Sequence, residues 1–330
     1  MPTDERIHRL LDLLADHATV VVSGTKMAGE IGVPRSTLRG WVERLRELGV
    51  ELRGVHATGY QLVRLPDILT PRRIRLAAAG TGFGRRVYHS FQTGSTMDDA
   101  AAHAAAGDPH GTIVVAEEQT AGRGRLGRAW HSEPGAGLYV SLILRPPLPA
   151  AAAPMLTLAT GLAVADAVEE STGRAADIRW PNDVLLNEKK CAGILLEMTA
   201  EPERIKHVIL GIGVNVNHSS LPTELAGEAV SLRMACGRAL SRGEVLAALL
   251  RALDRSLARL LAPDGRAATV AEFERRSSFA CGRRVTIEED GVEVRGVTAG
   301  LDPAGYLLLR RDGGGTVEPV YTGRVRPCSS

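Results

Sequence analysis

Gln119-Thr120-Ala121-Gly122-Arg123-Gly124-Arg125-Leu126-Gly127-Arg128-Ala129-Trp130 sets three arginines among three glycines and closes on a tryptophan. Glycine lets backbone N–H groups approach a ligand closely, and the guanidinium fork matches carboxylate and phosphate oxygens in pairs, so the composition asks for an anion. An Arg-Gly run also describes an ordinary solvated loop, and the flanks decide between the two. Gly122, Gly124 and Gly127 satisfy G-x-G-x-x-G, but the dinucleotide fingerprint needs a strand before it and a helix directly after. Thr112 to Glu117 reads as a strand, Trp130 to Gly135 as a turn, and Leu138 to Leu144 as a second strand. The flanks are β and β, which excludes a Rossmann unit and leaves an anion clamp. In an extended segment Arg123 and Arg125 would project to one face, and a clamp of this kind is expected to stand open or disordered until its anion binds.

Around this loop the chain has 330 residues, room for two or three domains and a sizeable core. Forty Lys and Arg against 38 Asp and Glu leave a net charge of +2, with no global footprint for nucleic acid. Cys191, Cys236, Cys281 and Cys328 have no C-x-x-C spacing, which argues against a metal knot or disulfide framework and for a reducing cytoplasm. No charged-then-apolar leader opens the sequence. The apolar stretch Leu148 to Val168 carries Pro149, Pro154, threonines and Asp166, so it reads as a buried core helix starting near Pro154 and no membrane role is expected.

The first 64 residues read as a small unit of their own. Ile7, Leu10, Leu11 and Leu14 recur at helical spacing, and so do Leu38, Val42 and Leu45. Ser23-Gly24-Thr25 is a cap, Met27 to Ile31 a short helix, and Gly32-Val33-Pro34 the break, which gives helix, tight turn, helix. Val50 to Arg53 and Tyr60 to Val63 flank Gly54 to Gly59 as the wing of a winged helix-turn-helix. Arg35, Ser36, Thr37 and Arg39 then open the recognition helix, where base edges and phosphates are met. Nine Lys or Arg against eight Asp or Glu in residues 1 to 64 net only +1, and Gly40 costs the helix about 1 kcal/mol against alanine. Placement favours DNA nevertheless: Arg35, Arg39, Arg44, Arg46 and Arg53 gather on the second helix and wing, Asp4, Glu5, Asp12 and Asp16 on the first helix. Protein docking is the alternative use of such a module.

Pro66 to Ala79 reads as a linker, after which strands alternate with longer helices. Strand Val87 to Phe91, helix Thr96 to Ala106, helix Met155 to Ser171, strand Ile178 to Trp180, hairpin Val184 to Met198 and strand His207 to Val216 describe an α+β layered domain, closed by helices Arg242 to Ala262 and Val270 to Arg276. Short strands at Arg284 to Glu288, Glu293 to Leu301, Tyr306 to Arg310 and Thr316 to Val320, joined by Asp-Gly, Pro-Ala-Gly and Gly-Gly-Gly turns, describe a small terminal β-barrel.

Four segments carry polar or glycine groups that packing alone does not demand. Gly94-Ser95-Thr96-Met97-Asp98-Asp99 is a helix cap that also offers free N–H groups to a ligand. The arginine loop is the second. Arg179-Trp180-Pro181-Asn182-Asp183 ends a strand on an amide and a carboxylate, and Lys189-Lys190-Cys191-Ala192-Gly193 opens the next with lysine and small residues. Gly211-Ile212-Gly213-Val214-Asn215-Val216-Asn217 is an apolar strand broken by two glycines. No Ser-His-Asp order or paired-histidine metal spacing competes, so chemistry by positioning and charge neutralisation, as in nucleotidyl or phosphoryl transfer, fits the set.

GRGRLGRAW, RWPND, KKCAGIL and GIGVNVN, in this order and at these intervals, resemble biotin protein ligase over essentially the whole chain, and the N-terminal unit makes it similar to the bifunctional ligase that also represses transcription. The resemblance implies an α+β fold with a winged helix-turn-helix domain at 1–65, a linker at 66–82, a class II synthetase-like α/β-layered catalytic domain at 83–276 and an SH3-like β-barrel at 277–326. It implies that biotin and Mg-ATP form biotinyl-5′-AMP, and that a lysine of the biotin carboxyl carrier protein of acetyl-CoA carboxylase then takes the biotin. Ser95, Thr96, Met97, Gln119, Arg123, Gly124, Arg125 and Lys190 would bind biotin, and Arg123, Arg128, Trp130, Asn215 and Arg326 the nucleotide. Lys190, Arg125 and Asp183 would be catalytic, with Asp183 near Mg2+. Met97 departs from the family, where asparagine commonly follows the Ser-Thr pair. Operator DNA and a homodimer formed with biotinyl-5′-AMP would complete the partners. A lipoate or octanoate transferase and a non-enzymatic biotin-sensing repressor are the competing readings.

Overall fold

A computed structural model describes residues 3–56, 58–201, 204–289 and 292–328. The N-terminal unit is α1 (Thr3–Asp16), β1 (Val22–Ser23), α2 (Gly24–Ile31), α3 (Arg35–Glu47), β2 (Glu51–Val55) and β3 (Gly59–Arg64). Its apolar positions are those the helical spacing picks out: Ile7, Leu10, Leu11, Leu14, Leu38, Val42 and Leu45 meet in one buried cluster with Met27 and Ile31. Ser23 caps α2 by accepting from Lys26 N, and Gly32 ends it in the left-handed region at φ 72°, where glycine pays no Cβ penalty. The unexpected element is β1, two residues long, which pairs with β3 so that the three-stranded antiparallel sheet runs β1-β3-β2. Gly59 allows that pairing, since a Cβ there would fall 1.9 Å from Val22 O.

The segment expected as a linker is not extended. Residues 71–77 form α4 (Pro71–Ala77), capped by Thr70 and started by Pro71 at its first turn, and Ile74 and Ala77 are buried in the main core. The central body follows: β4 (Val87–Ser90), α5 (Thr96–Ala105), β5 (Thr112–Ala116), β6 (Leu138–Leu144), α6 (Ala153–Thr172), β7 (Asp177–Arg179), β8 (Asp183–Leu186), β9 (Lys189–Ala200), β10 (Ile205–Val214), α7 (Leu232–Cys236), α8 (Arg242–Leu261) and α9 (Gly265–Arg276). Its seven strands lie in the order β4-β5-β6-β10-β9-β8-β7, with β4 and β5 parallel and every other neighbour antiparallel. Every residue of β6 is buried, as a central strand covered on both faces requires. The apolar helix over 150–172 is long enough to cross a membrane, yet most of it is buried inside the fold, where α6 packs on α8 and α9.

The final unit is β11 (Cys281–Glu289), β12 (Val292–Leu301), β13 (Leu307–Arg311), β14 (Val317–Val320) and β15 (Arg324–Pro327), antiparallel in the order β14-β13-β12-β11-β15. The Asp290-Gly291 turn lies outside the described residues. β15 carries no recognisable strand pattern, and it returns the chain to the edge of β11. Its approach, Thr322 and Gly323, is thereby brought against the arginine loop.

A buried polar chain joins the N-terminal unit to the central body. His8 Nε2 lies 2.7 Å from His89 Nδ1, His89 Nε2 lies 3.0 Å from Glu117 Oε1, and Glu117 Oε2 accepts from Arg242 NH2 at 2.6 Å. A carboxylate only accepts, so His89 Nε2–H donates to Glu117, and its other ring nitrogen shares the hydrogen bond with His8 Nε2. Glu117 also accepts from Leu69 N at 2.8 Å, and Arg242 donates to Gly137 O and to Asp67 O. Burial opposes ionisation of Glu117, but the His89 hydrogen bond and the Arg242 charge outweigh it and hold the carboxyl down at about 2. Burial, aided by His89, lowers His8 to about 3.

Candidate active site

The face of the sheet between α5 and the arginine loop is floored by glycine. Gly193 on β9 pairs with Gly213 on β10, and Gly211 follows two residues away on the same strand. A Cβ on Gly213 would fall 2.5 Å from the Trp130 indole, one on Gly193 2.9 Å from it, and one on Gly211 2.5 Å from Met97 Sδ. The glycines therefore make room for flat or bulky groups directly against the backbone. Lys190 Nζ stands 5.3 Å from the centre of the Trp130 ring, within reach of a cation–π contact.

Trp130 separates two pockets. The inner one is lined by Ser95, Thr96, Met97, Gln119, Arg123, Gly124, Lys190 and the glycine floor, and retains about 40 Å³ of free space. The outer one, about 170 Å³, is lined by Arg125, Arg128, Arg179, Asn182, Asp183, Lys190, Asn215 and Arg324. The tryptophan belongs to both walls, and its Nε1 is buried without a hydrogen-bond partner. An orphaned buried indole N–H is the mark of a side chain that packing alone holds in place.

The inner pocket's polar groups are tightly organised. Ser95 caps α5 by accepting from Met97 N at 3.3 Å. Thr96 donates to Gln119 Oε1 from both its backbone N and its hydroxyl, at 2.9 and 3.0 Å, and its hydroxyl lies 2.8 Å from Ser141 Oγ. Gln119 Nε2 donates onward to Ser132 Oγ at 3.0 Å. Met97 is buried and packs with Ala100, Val114, Ile143 and Ile209, so it serves the pocket as an apolar wall.

In the outer pocket Asp183 joins two cations. Its Oδ1 lies 2.5 Å from Lys190 Nζ and its Oδ2 2.8 Å from Arg179 NH2. Burial works against the charged carboxylate, but Lys190 and Arg179 overcome it and keep the group below the ordinary range. Both oxygens are thus engaged, and a lone carboxylate already shared by two cations does not fit the metal role expected of Asp183. Asn215 is buried, its side chain 3.5 Å from Val230 O and its backbone N donating to Cys191 O. Burial pushes the Cys191 thiol up to about 12, so it is no nucleophile.

Three further expectations differ from the structure. Arg123 and Arg125 do not share a face: Arg123 pairs with Asp98 at 2.6 Å on the α5 side, whereas Arg125 opens a short 3-10 turn and donates to Asn182 Oδ1, Gly323 O and Thr322 Oγ1. The reason is that the extended backbone ends at Gly124: Arg125 already opens the 3-10 turn 125–127, which continues through Leu126 at φ 56°, so the alternation does not carry on to Arg125. Nor does the loop stand open, because Gly124 N donates to Arg128 O, Trp130 N donates to Gly122 O, and the indole settles on the glycine floor. Arg326 does not line the pocket and pairs with Glu288, which it shares with Arg128, each at 3.7 Å. Arg324, one alternation earlier on β15, lines the pocket instead and pairs with Glu228. Arg179 and Arg324 were not singled out from the sequence; the only signal was their position beside Trp180 and Arg326.

On the N-terminal unit, Arg35, Ser36, Thr37 and Arg39 are all exposed on the first turns of α3.

The chain matches the Biotin/lipoate A/B protein ligase family over residues 79–215 and the biotin protein ligase C terminal domain over residues 280–325. It is 39% identical over 248 residues to a bifunctional ligase/repressor BirA of Bacillus subtilis, covering 74% of this chain and 76% of that one. It is 37% identical over 269 residues to the biotin--[acetyl-CoA-carboxylase] ligase of Mycobacterium tuberculosis, covering 79% and 97%. The solved biotin protein ligase of Aquifex aeolicus, in complex with biotin and ATP, covers 74% of this chain and 100% of its own, with a TM-score of 0.64 at 29% identity. The matches run through the α+β layered body and the terminal sheet, and the chain belongs to the biotin protein ligase family.

Proposed function

We propose that the glycine-floored inner pocket takes biotin, the outer pocket takes ATP, and Trp130 moves from the floor of the first to the nucleotide in the second. The carrying observation is the place of Lys190, which lines both pockets and touches both Trp130 and Asp183. In the first step the biotin carboxylate oxygen bonds to the α-phosphorus of ATP as the α–β bridge breaks and pyrophosphate leaves. Lys190 and Arg125 neutralise charge as the mixed anhydride forms, with Arg123 and Gly124 closing over it and Arg128 and Asn215 beside the nucleotide. Asp183 acts by orienting Lys190 and Arg179, and Mg2+ enters as the ion carried by the ATP phosphates. In the second step the amine of a lysine on the carrier protein attacks the acyl carbon, AMP departs, and the amine loses its proton.

The free space of the inner pocket, about 40 Å³, is far below what a bicyclic ligand fills, so entry of biotin lifts the indole. Ser95, Thr96 and Gln119 then face the ureido end, with Met97 as an apolar wall. Residues 1–65 act as a winged helix-turn-helix with Arg35, Ser36, Thr37 and Arg39 toward operator DNA. Residues 83–276 are the catalytic unit, with α4 of the 66–82 segment joined to it, and 277–326 form the SH3-like barrel. Repression by a homodimer that forms with biotinyl-5′-AMP, in the cytoplasm, completes the reading; the N-terminal unit's exposed basic helix supports it.

The test is to incubate the protein with Mg-ATP, labelled biotin and a carrier domain. Label is expected on the acceptor lysine, and lipoate transferred in place of biotin overturns the reading. Operator binding is expected to strengthen with biotin plus ATP and to weaken with salt; a salt-insensitive or biotin-independent shift removes the repressor part.

A further inference from the structure

His131, Glu133 and His218 meet beside the active site, although 85 positions of sequence separate Glu133 from His218. One potential ligand atom from each lies within 4.8 Å of the others, and the two imidazole rings are 5.7 Å apart. The backbone around them is stitched together, with Ala136 N donating to Glu133 O and Asn217 N to Ala136 O at 2.6 Å. His218 is fully buried and its Nδ1 has no hydrogen-bond partner.

The tautomer of His218 follows from its neighbour. The Tyr139 hydroxyl has one proton, and at 3.0 Å it donates that proton to the carbonyl of Glu133, which can only accept. The contact of 3.3 Å between Tyr139 Oη and His218 Nε2 therefore has the imidazole as donor. This places the His218 proton on Nε2 and a free lone pair on the orphaned Nδ1. An outer hydrogen bond that fixes the ring and leaves the opposite nitrogen bare is the arrangement found behind metal-binding histidines.

We propose that His131, Glu133 and His218 bind a borderline divalent cation such as Zn2+, separate from the ion carried by ATP. Two imidazoles and a carboxylate form a donor set suited to that class of metal, with the fourth position left to water. Tetrahedral coordination at 2.0–2.1 Å brings donors to about 3.3 Å from one another, so the triad contracts on binding. His131 is half-buried and Glu133 exposed, and both can rotate to do so. His131 directly follows Trp130, so the bound ion fastens the end of the arginine loop to the segment after β10.

The probe is Co2+, added to the full-length, tag-free protein and followed by displacement with Zn2+. One Co2+ per chain is expected, with the intense visible absorption of a tetrahedral site that Zn2+ abolishes. His131→Ala and Glu133→Gln alter a half-buried and an exposed residue outside the hydrophobic core, and each is expected to weaken binding about 100-fold with an unchanged unfolding midpoint in the metal-free protein. Tyr139→Phe frees the His218 tautomer and is expected to weaken it about 10-fold with the same coordination spectrum. Absence of a stoichiometric tetrahedral spectrum in the unaltered protein overturns the proposal, and so does binding that His131→Ala and Glu133→Gln leave unchanged.

Discussion

Glu117 and Gln119 are two residues apart at the exit of β5, yet they enter opposite kinds of polar structure. Glu117 belongs to a sealed chain, His8–His89–Glu117–Arg242, whose carboxylate has a partner on each oxygen. Gln119 opens a loop that ends on an indole N–H with no partner, lying on glycines that give it nothing to hold. The charged network fixes one unit of the molecule against another even though Arg242 Nε itself makes no hydrogen bond and stands 3.7 Å from Asp67 Oδ2, while the uncharged indole N–H is set to exchange its contacts for a ligand's. The difference teaches that neither burial nor a single orphaned N–H separates structural from functional polar groups; what separates these two is that Arg242 is held by the Glu117 and Asp67 carboxylates and Trp130 Nε1 by no polar group.

The largest way to break the contrast is Glu117→Gln. It leaves the Arg242 guanidinium, 1% exposed, with only the Asp67 carboxylate 3.7 Å away as countercharge, and should cost about 3 kcal/mol of stability by denaturant unfolding. An effect below 1 kcal/mol would mean the chain is not the anchor. Lys190→Ala acts on the other side. Pyrophosphate release on adenylate formation should fall about 100- to 1,000-fold while biotin affinity changes far less, and an equal fall in both would remove Lys190 from the chemistry.

Acid separates the two regions. His8 is kept neutral in the fold down to about 3, whereas the unfolded chain takes up this proton below about 6.5, so stability declines as pH falls through that interval. Glu117, ionised in the fold down to about 2, adds to the decline below about 4.5. Between pH 6.5 and 4.5 the His8 part amounts to about 2–3 kcal/mol, and His8→Gln should flatten the unfolding midpoint against pH there. A profile unaltered by that substitution would place the acid sensitivity elsewhere. Trp130→Ala should let biotin enter faster and release biotinyl-5′-AMP about 10- to 100-fold sooner, as expected for about 1–3 kcal/mol of base stacking; unchanged release leaves Trp130 off the adenine. The smallest effect is expected from Asp16→Ala, which removes an exposed pair with Arg72 and should move stability by less than about 0.5 kcal/mol.

Periodicity exposed the helices of the N-terminal unit, because a buried stripe at Ile7, Leu10, Leu11 and Leu14 recurs every turn. It exposed the central strands too, and the flanks of the arginine loop correctly ruled out a dinucleotide fold. It could not expose β1 or β15, whose few residues are too short to repeat a pattern, nor α4, where Pro71 reads equally as a linker residue and as a helix start. The candidate site was legible in its contiguous motifs. What lay outside them was distance in sequence: Arg242 finds Glu117 across 125 residues, and Arg125 finds Thr322 across 197. Arg125 shows a third cause, since the extended run assumed for Arg123 and Arg125 gives way to a 3-10 turn at Arg125 itself.

Gly193, Gly213 and Trp130 constrain one another's substitution. A methyl group added at either glycine meets the same indole, so neither position is free to change by itself. Replacing Trp130 with a small residue removes the obstacle at Gly213, whereas at Gly193 an added Cβ still falls 2.9 Å from Lys190 Cε. The two glycines are therefore tied to the indole unequally: its loss opens Gly213 to a side chain, while Gly193 stays closed until Lys190, a residue shared by both pockets, also gives way.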